Sequence, residues 1–187
     1  AGATLDASGG GNITLRGGRT NNGTFTRGAS TVTFDSGGIQ ALVSGGTGAA
    51  KRFWNLNTAT ANTRVQAGTN AVEAQNLTIA ASTIFELNGV NLDLNPGTIS
   101  NDGTFRLQGN ETVTIGGGMD TNSGLVYYDG TGAYAALVAG LGNTYYNLQF
   151  SSTGAGSWTT AAALTVNSNL TVSAGTVTLG NTLDVNA

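Results

Sequence analysis

The chain has 187 residues, of which 30 are glycine and only 9% are charged, and its formal net charge is −3. Cysteine and histidine are both absent, which excludes disulfides, thiolate nucleophiles and the usual zinc sites. The acidic balance argues against nucleic acid as a partner, and no apolar run is long enough to span a membrane as a helix. Because the chain begins at Ala1 and not at Met, we expect a processed or excised protein.

The first half of the chain reads as short strands separated by turns rich in Gly and Asn. Apolar and polar residues alternate inside short runs, which is typical of strands with one buried face. The predicted strands are Thr4–Asp6, Ile13–Leu15, Thr31–Phe34, residues 41–43, residues 53–56 and further strands within residues 76–95. The segment NNGTF at residues 21–25 predicts a turn that runs into one more strand.

The second half repeats these blocks in the same order. NDGTF at residues 101–105 matches residues 21–25, and TVTI at residues 112–115 matches TVTF at residues 31–34. The later matches pair residues 136–138 with 41–43, 145–148 with 53–56, 169–172 with 76–79, and 183–184 with 92–93. Chance matches do not keep their order, so the sequence predicts one domain made of two repeats of about 90 residues, approximately 7–94 and 95–187.

One segment is ambiguous between helix and strand. Residues 134–141, YAALVAGL, have the propensity of a short helix. Their counterpart in the first repeat, residues 39–44, is short and bounded by Gly, which is typical of a strand. We therefore predict strands at both places and no helix anywhere in the chain.

Two all-β architectures fit this pattern. The favoured one is a right-handed parallel β-helix, or β-solenoid, in which coils of roughly 18–25 residues stack about 4.8 Å apart. The alternative is two tandem Ig-like β-sandwiches of about 90 residues each. Very short strands, a single proline and few aromatic residues favour the solenoid.

The repeated blocks resemble the Gly/Thr/Asn-rich β-strand repeats of bacterial cell-surface and secreted adhesin-like proteins. The resemblance rests on the NNGTF, TVTF, aromatic-aromatic-Asn-Leu, NLTV and TLDV-type segments, and it covers nearly the whole chain. It implies an extracellular protein of the bacterial cell surface that has a structural or display role and is not an enzyme. Residues 51–75 depart from the family's pattern because they are longer and more polar.

The two ends of the chain share one phase of the repeat. TLDA at residues 4–7 matches TLDV at residues 182–185, and neither end has the polar cap that a solenoid needs in water. We therefore expect end-to-end stacking of β-strands, with the chain itself or a longer repeat array as the partner. The predicted self-assembly interface consists of Thr4, Leu5, Asp6, Thr182, Leu183, Asp184 and Val185.

The charges are unevenly placed along the chain, which fits either drift in a low-charge surface or a molecule with unlike ends that meet head to tail. The first 106 residues carry all seven basic side chains and six acidic ones, whereas the remainder carries four acidic side chains and no basic one. Opposite charge at the two ends would steer them towards each other.

A second hypothesis is a glycan-binding adhesin module on a passive β-rod. Its contacts would come from aromatic rings that stack on sugars and from cations beside them. The candidate residues are Lys51, Arg52, Trp54, Tyr145 and Tyr146. The aromatic pairs also adjoin Leu at one phase of the repeat, so a core position fits them equally.

Other chemistry has little support in the sequence. Asp120, Asn122 and Asp129 offer oxygen ligands for calcium, but their spacing is not that of a calcium loop. No spacing pairs two carboxylates for acid–base catalysis, so we predict no catalytic residue, no metal and no cofactor. Thr-x-Thr runs at residues 24–26, 31–33, 112–114 and 176–178 resemble an ice-binding array, although Thr is also a common exposed strand residue.

Overall fold

The computed structural model describes residues 2–186 and shows a parallel β-solenoid of about nine coils. Paired residues in neighbouring strands are separated by 19 positions, as in Ile13 and Val32, to 25 positions, as in Gly38 and Thr63. Every strand pair within residues 2–186 is parallel, which confirms the all-β solenoid and excludes two tandem sandwiches with antiparallel sheets. The right-handed winding agrees with the usual hand of parallel crossovers and stays a prediction.

The strands are short, and Gly- or Asn-containing turns separate most of them. They are β1 (Thr4–Asp6), β2 (Ile13–Leu15), β3 (Arg19–Thr20), β4 (Thr24–Thr26), β5 (Thr31–Phe34), β6 (Gly38–Val43), β7 (Phe53–Thr58), β8 (Thr63–Ala67), β9 (Val72–Ile79), β10 (Ile84–Glu86), β11 (Leu92–Leu94), β12 (Ile99–Asn101), β13 (Thr104–Leu107), β14 (Val113–Ile115), β15 (Leu125–Tyr128), β16 (Ala133–Tyr134), β17 (Thr144–Tyr145), β18 (Asn147–Ser151), β19 (Ser157–Thr160), β20 (Leu164–Val166), β21 (Leu170–Ala174), β22 (Thr176–Leu179) and β23 (Leu183–Val185). The one helical element among the described residues is a 3-10 turn at Ala139–Leu141.

One long sheet runs through most of the solenoid, and the other sides are divided into shorter sheets. The long sheet has eight strands in the order β21-β18-β15-β13-β10-β8-β6-β3. A second sheet contains β14-β11-β9-β7-β5-β2, with β12 paired to the second half of β9. Towards the C-terminus lie two three-stranded sheets, β16-β19-β22 and β17-β20-β23, and β1 pairs with β4 near the N-terminus. We call the first two the eight-stranded and seven-stranded sheets.

The core consists of inward side chains that stack on the same position of the next coil. Phe85 pairs with Phe105, and their ring centroids are 6.4 Å apart. Tyr128 pairs with Phe150 at 5.3 Å, and Trp158 packs against Phe150 at the same distance. All five side chains are fully buried. Because burying such a side chain contributes about 1.5–3 kcal/mol, these columns are a main source of the stability of the stack.

The structural repeat is the single coil, and the two copies of several sequence blocks fall on different sheets, although residues 31–34 and 112–115 both reach the seven-stranded sheet. Residues 76–79 lie in β9 of the seven-stranded sheet, whereas the matching residues 169–172 run into β21 of the eight-stranded sheet. Residues 92–93 lie in β11, whereas residues 183–184 lie in β23 of a three-stranded sheet. These two blocks therefore share strand and turn residues without occupying the same side of the coil.

The prediction of a strand over residues 134–141 is wrong. Only Tyr134 belongs to a strand, β16, and the segment ends in the 3-10 turn, whereas its counterpart does form β6 as predicted. The turn lies directly on β14: a Cβ atom on Gly140 would come within 1.6 Å of the carbonyl oxygen of Val113. Leu141 is buried, so the turn covers the core where a strand would otherwise continue the sheet.

Two buried tyrosines hold this turn in place. The hydroxyl of Tyr128 accepts a hydrogen bond from the backbone N–H of Val138 at 3.3 Å. The hydroxyl of Tyr145 donates to the carbonyl oxygen of Gly142 at 3.0 Å. Both rings are fully buried, so polar contacts from within the core hold the 3-10 turn on both of its sides.

Candidate functional site: the two end coils

At the N-terminal end, three strands have an edge without a strand partner. β1 pairs with β4, β2 with β5 and β3 with β6, and no strand among residues 2–186 pairs with their other edges. Leu5 of β1 is 49% exposed, whereas Phe25, its partner one coil further in, is fully buried. Leu5 therefore occupies a core position that is open to solvent.

The C-terminal end has the same arrangement with more apolar surface. β21, β22 and β23 each pair on one side only within the described chain. Val172, Leu179 and Val185 are 50%, 47% and 41% exposed. Phe150 and Val166, the partners of Val172 and Val185, are fully buried. The core thus continues to the last described coil, whose inward side chains have no cover within residues 2–186.

The structure places the predicted interface residues at these two opposite ends. Leu5, Leu183 and Val185 pair with buried residues and so occupy inward positions. The remaining predicted residues lie on the outer side or beside the strands: they are Thr4, Asp6, Thr182 and Asp184. The sequence-based interface missed Val172 and Leu179, because it included one strand at each end, whereas a whole coil is exposed.

Outward carboxylates at both ends are tied to their own turns. The Oδ1 atom of Asp6 accepts a hydrogen bond from the backbone N–H of Ser8 at 2.8 Å. Hydrogen bonding to Ser8 lowers the pKa of Asp6. At the other end, the side-chain amide of Asn186 donates to Asp184 at 3.5 Å. These contacts order the turns beside the open edges and leave the inward apolar side chains uncovered.

An inward-facing arginine lies in the N-terminal coils. Arg19 of β3 pairs with the buried Leu42, so its side chain points into the core and not outwards. Its guanidinium lies over the rings of Phe25 and Phe53, at 4.6 and 4.7 Å from the ring centroids. Burial lowers the pKa of Arg19. The sequence gives no sign of this position, because the register of β3 is visible only in the structure.

The strand edges offer the chemistry of β-augmentation. An exposed edge presents alternate N–H and C=O groups that can pair with a further parallel strand. At both ends the inward side chains beside these edges are apolar, apart from Arg19. A covering coil would therefore gain both hydrogen bonds and apolar burial in a single step.

The cations proposed for glycan binding are engaged in contacts between coils. The Nζ atom of Lys51 donates to the carbonyl oxygens of Asn21 and Gly23, at 3.3 and 2.5 Å. The guanidinium of Arg52 lies 3.5 Å from the carboxylate of Glu73 and donates to the carbonyl oxygen of Asn95 at 2.8 Å. These contacts give both cations a structural role.

The aromatic residues of the glycan hypothesis lie apart from one another. Trp54 belongs to β7 of the seven-stranded sheet and is partly exposed, and the guanidinium of Arg27 lies 4.7 Å from its ring centroid. Tyr145 of β17 is fully buried, and burial raises its pKa to about 12. Tyr146 follows it and is partly exposed. The hypothesis missed Arg27, which covers one face of the Trp54 ring.

The residues considered for calcium are used in local contacts. The carboxylate of Asp120 accepts from the backbone N–H of Asn101 at 2.9 Å, and the carboxylate of Asp129 accepts from Nε of Arg106 at 2.7 Å. Asn122 accepts a hydrogen bond from Ser123 at 3.2 Å. Within residues 2–186, no three Asp, Glu, His or Cys side chains come together as metal ligands would.

The four Thr-x-Thr runs do not form one array. Residues 24–26 and 31–33 lie in β4 and β5, whereas residues 112–114 reach β14 and residues 176–178 lie in β22. These strands belong to three sheets, since β5 and β14 share the seven-stranded sheet, and no two of them are paired. The expected array of these runs is therefore absent from the described part of the chain.

Comparisons with known proteins complete the description of the site. Over the residues that the structure describes, no helix has the length and apolar character needed to cross a bilayer. Searches against protein-family models, curated proteins and solved structures gave no significant match. Any proposal about function therefore rests on the solenoid fold and its two open ends.

Proposed function

We propose that this chain is a structural subunit or segment of an extracellular fibre or stalk, assembled end to end by stacking of solenoid coils. One observation carries the proposal: the core reaches both end coils and is uncovered there. Of the five exposed large hydrophobic side chains among the described residues, four lie in these coils. The four are Leu5, Val172, Leu179 and Val185.

The joint would form by strand addition between unlike ends. β22 and β23 of one copy present unpaired edges, and β1 and β2 of the next copy supply parallel strands for them. The C-terminal part of the chain is acidic and the N-terminal part is slightly basic, so this polarity is electrostatically favoured over contacts between like ends. The same contacts would join the described coils to further coils of a longer chain.

The expected strength of the joint is modest. Four side chains that are about half exposed would contribute roughly 1 kcal/mol each on burial. That sum is no larger than the lowest estimates of about 4 kcal/mol for the lost freedom of two associating molecules. Backbone pairing at the strand edges must therefore supply the remainder, and we expect assembly that depends strongly on protein concentration.

The proposed location is the bacterial cell surface. A surface with few charges, rich in Thr, Asn and Gly, and the resemblance to adhesin-like repeats support this location. A passive rod of stacked coils would hold other parts of a surface protein away from the cell. No catalytic step is part of this role.

The test is a pair of variants that each block one end. Leu5→Lys places a charge in the core position of the N-terminal coil, and the double variant Leu179→Lys/Val185→Lys does so at the C-terminal coil. Because stacking is head to tail, we expect each variant alone to be monomeric at concentrations where the unchanged protein forms rods. An equimolar mixture of the two should form dimers, which analytical ultracentrifugation and electron microscopy would detect.

Ile39→Lys is the matched control, because Ile39 is 66% exposed on the outer face of β6, one coil in from β3, and does not occupy an inward position. This variant should assemble like the unchanged protein. A monomeric unchanged protein at high concentration would contradict the proposal, as would mixtures of the two blocked variants that stay monomeric.

The glycan-binding alternative has one observation in its favour. Arg27 lies against the ring of Trp54 and is a third cation in addition to Lys51 and Arg52, and the indole is partly exposed. Against it, all three cations already contact the protein, and Tyr145 is buried away from solvent. End-to-end stacking therefore explains more of the structure.

A further inference from the structure

Two columns of polar side chains run along the outside of the seven-stranded sheet. The parallel register aligns the first column, which we call the free ladder: Thr14, Thr33, Asn57, Thr78 and Ser100. The second column lies two residues earlier on the same five coils, and we call it the bonded ladder: Asn12, Thr31, Asn55, Asn76 and Thr98. Successive rungs come from residues 19 to 24 apart, so a sequence pattern does not reveal them.

The bonded ladder is fixed by hydrogen bonds from one coil to the next. Nδ2 of Asn55 donates to the Thr31 hydroxyl at 3.2 Å, and Nδ2 of Asn76 donates to Oδ1 of Asn55 at 3.0 Å. The Thr98 hydroxyl donates to Oδ1 of Asn76 at 3.4 Å, and Oδ1 of Asn12 accepts from the backbone N–H of Thr31. These bonds hold the five coils in register along this face.

The free ladder leaves its polar groups available to solvent. Its side chains make no hydrogen bond to any residue in 2–186, and all of them are partly or fully exposed. The residues that alternate with them point inwards and are buried, as are Val32, Leu56 and Leu77. The face is therefore a rigid, pleated surface whose outer groups are presented without flexible loops.

The ten positions carry neither a charge nor an aromatic ring. The charged side chains nearest in sequence, Arg16, Asp35 and Asp102, lie beyond the ends of the strands at the margin of the face. A soluble sugar polymer is usually held by aromatic stacking or by charged and amide groups in a groove, and none of the ten positions offers a ring. The nearest ring is that of Trp54, which precedes Asn55 on β7 and has one face covered by the guanidinium of Arg27. A neutral, extended lattice is a better fit.

The array repeats in two directions at once. Neighbouring rungs are about 4.8 Å apart across the strands, and the two ladders are about 6.6 Å apart along each strand. The oxygen atoms of ice likewise repeat in two directions, so rows of ordered water can be matched to a two-dimensional array of this kind. Water bound between the hydroxyl and amide groups of successive rungs would be ordered on the same spacing. Each contact is weak, but a rigid array can form all of them together.

We propose that the free ladder, with the bonded ladder beside it, is a binding surface for ice, that is, for a crystal lattice of ordered water. This inference is independent of end-to-end stacking, since it concerns a side of the solenoid and not its ends. A rod that also stacked would extend the rows of the array, but a single molecule already presents five rungs.

The test compares growth of ice crystals in the presence of matched variants. The protein carrying Leu5→Lys is used throughout, so that assembly does not change the number of rungs. We expect it to inhibit ice recrystallisation and to produce thermal hysteresis. Adding Thr33→Lys and Thr78→Lys should remove both effects, because the ammonium groups disrupt the spacing of ordered water. Adding Asn57→Thr, which replaces the amide by a hydroxyl and so keeps a neutral polar group on the rung, should preserve them.

Thr104→Lys is the control, because Thr104 lies on the outer side of the eight-stranded sheet and is partly exposed. Circular dichroism melting curves of all variants establish that each is folded. Absence of both effects in the Leu5→Lys protein overturns the proposal, and so does an equal loss with Thr104→Lys. Binding to insoluble cellulose that Thr78→Lys abolishes, without any effect on ice, would assign the face to a neutral glycan and also overturn it.

Discussion

Individual core residues make the solenoid sensitive to alkaline pH, and Tyr145 is the sharpest case. Burial raises its pKa from about 10 to about 12, and burial also raises the pKa of Tyr128. The folded state therefore holds the proton more tightly than the unfolded chain does. The resulting stability is fully present below pH 10 and is lost as the pH rises through 12.

We expect the folded protein to lose about 2–3 kcal/mol from Tyr145 alone across that interval. Tyr145→Phe removes this dependence but also the hydrogen bond to Gly142, which costs roughly 1 kcal/mol at neutral pH. The variant should be slightly less stable at pH 7 and should unfold at higher pH than the unchanged protein. Circular dichroism together with phenolate absorbance measures both effects, and an unchanged alkaline midpoint would contradict the assignment.

Single residues were also the hardest features to predict from the sequence. Strand alternation correctly indicated which residues of Thr31–Phe34 face inwards, because period-two patterning reflects burial directly. Arg19 and Arg27 contact aromatic rings that are near in space through coil stacking, and no local pattern identifies such partners. Tyr145 was assigned to a glycan site or to the core, and the structure places it in the core.

At the scale of strands, a ladder of charges fastens the outer face of the eight-stranded sheet. Glu86 of β10 is only 4% exposed and lies between Arg64 of β8 and Arg106 of β13. Its carboxylate accepts from Arg64 at 2.6 Å and lies 3.6 Å from Nε of Arg106, which in turn pairs with Asp129. The ladder joins three consecutive coils and the turn after β15.

Glu86→Gln should destabilise the protein by about 1–3 kcal/mol, because it leaves two partly buried guanidinium groups without their shared carboxylate. The arginines are partly exposed, so solvent offsets part of the loss. Asp35→Asn is the control: Asp35 accepts from the Thr60 hydroxyl, and an amide oxygen keeps that bond. Urea unfolding should separate the two variants, and equal midpoints would show that the ladder contributes little.

The strands themselves were largely predictable, whereas the segment between β16 and β17 was not. The predictions for Ile13–Leu15 and Thr31–Phe34 match β2 and β5 residue for residue. The strand prediction for residues 134–141 failed because it was based on residues 39–44. That comparison assumed that matching positions of the sequence repeat occupy the same position in the coil. Several matching blocks in fact lie on different sheets, and here Gly140 allows a 3-10 turn to pack on β14.

At the scale of the whole molecule, stability should decrease from the middle of the stack towards its ends. Strands such as β8 and β10 are paired on both sides and face a closed core, whereas β1 and β23 are paired on one side. In a one-dimensional stack, the end units open with the smallest free-energy cost. End-to-end association would cover them by mass action.

We therefore expect amide hydrogen exchange in β1, β22 and β23 to slow as protein concentration rises, with no change in β8 and β10. Mass spectrometry of peptides from each strand measures this difference. The Leu5→Lys protein should show fast exchange in its end strands at every concentration. Exchange in the end strands that does not depend on concentration would argue for ends that are not covered by a second copy.

The overall architecture could be predicted from composition and strand length, but the structure of the two end coils could be predicted only in part. The sequence indicated an uncovered core at Leu5 and Leu183, because residues 2–186 include no polar capping segment beside either. It did not indicate how much of each end coil is apolar, because that depends on which residues on the three sides of the outermost coil face inwards. The free ladder likewise depends on the pairing register of the strands. The sequence does not show this register, because the number of residues per coil varies.

The packing of the 3-10 turn on β14 has a mechanical consequence. At this level the seven-stranded sheet ends at β14, and the two three-stranded sheets begin at β16 and β17. The eight-stranded sheet alone continues through this level, from β13 to β15 and β18. Tension along the axis would here pass through one set of backbone bonds in place of several. The rod would accordingly flex or yield at this level first, with the long sheet serving as its spine.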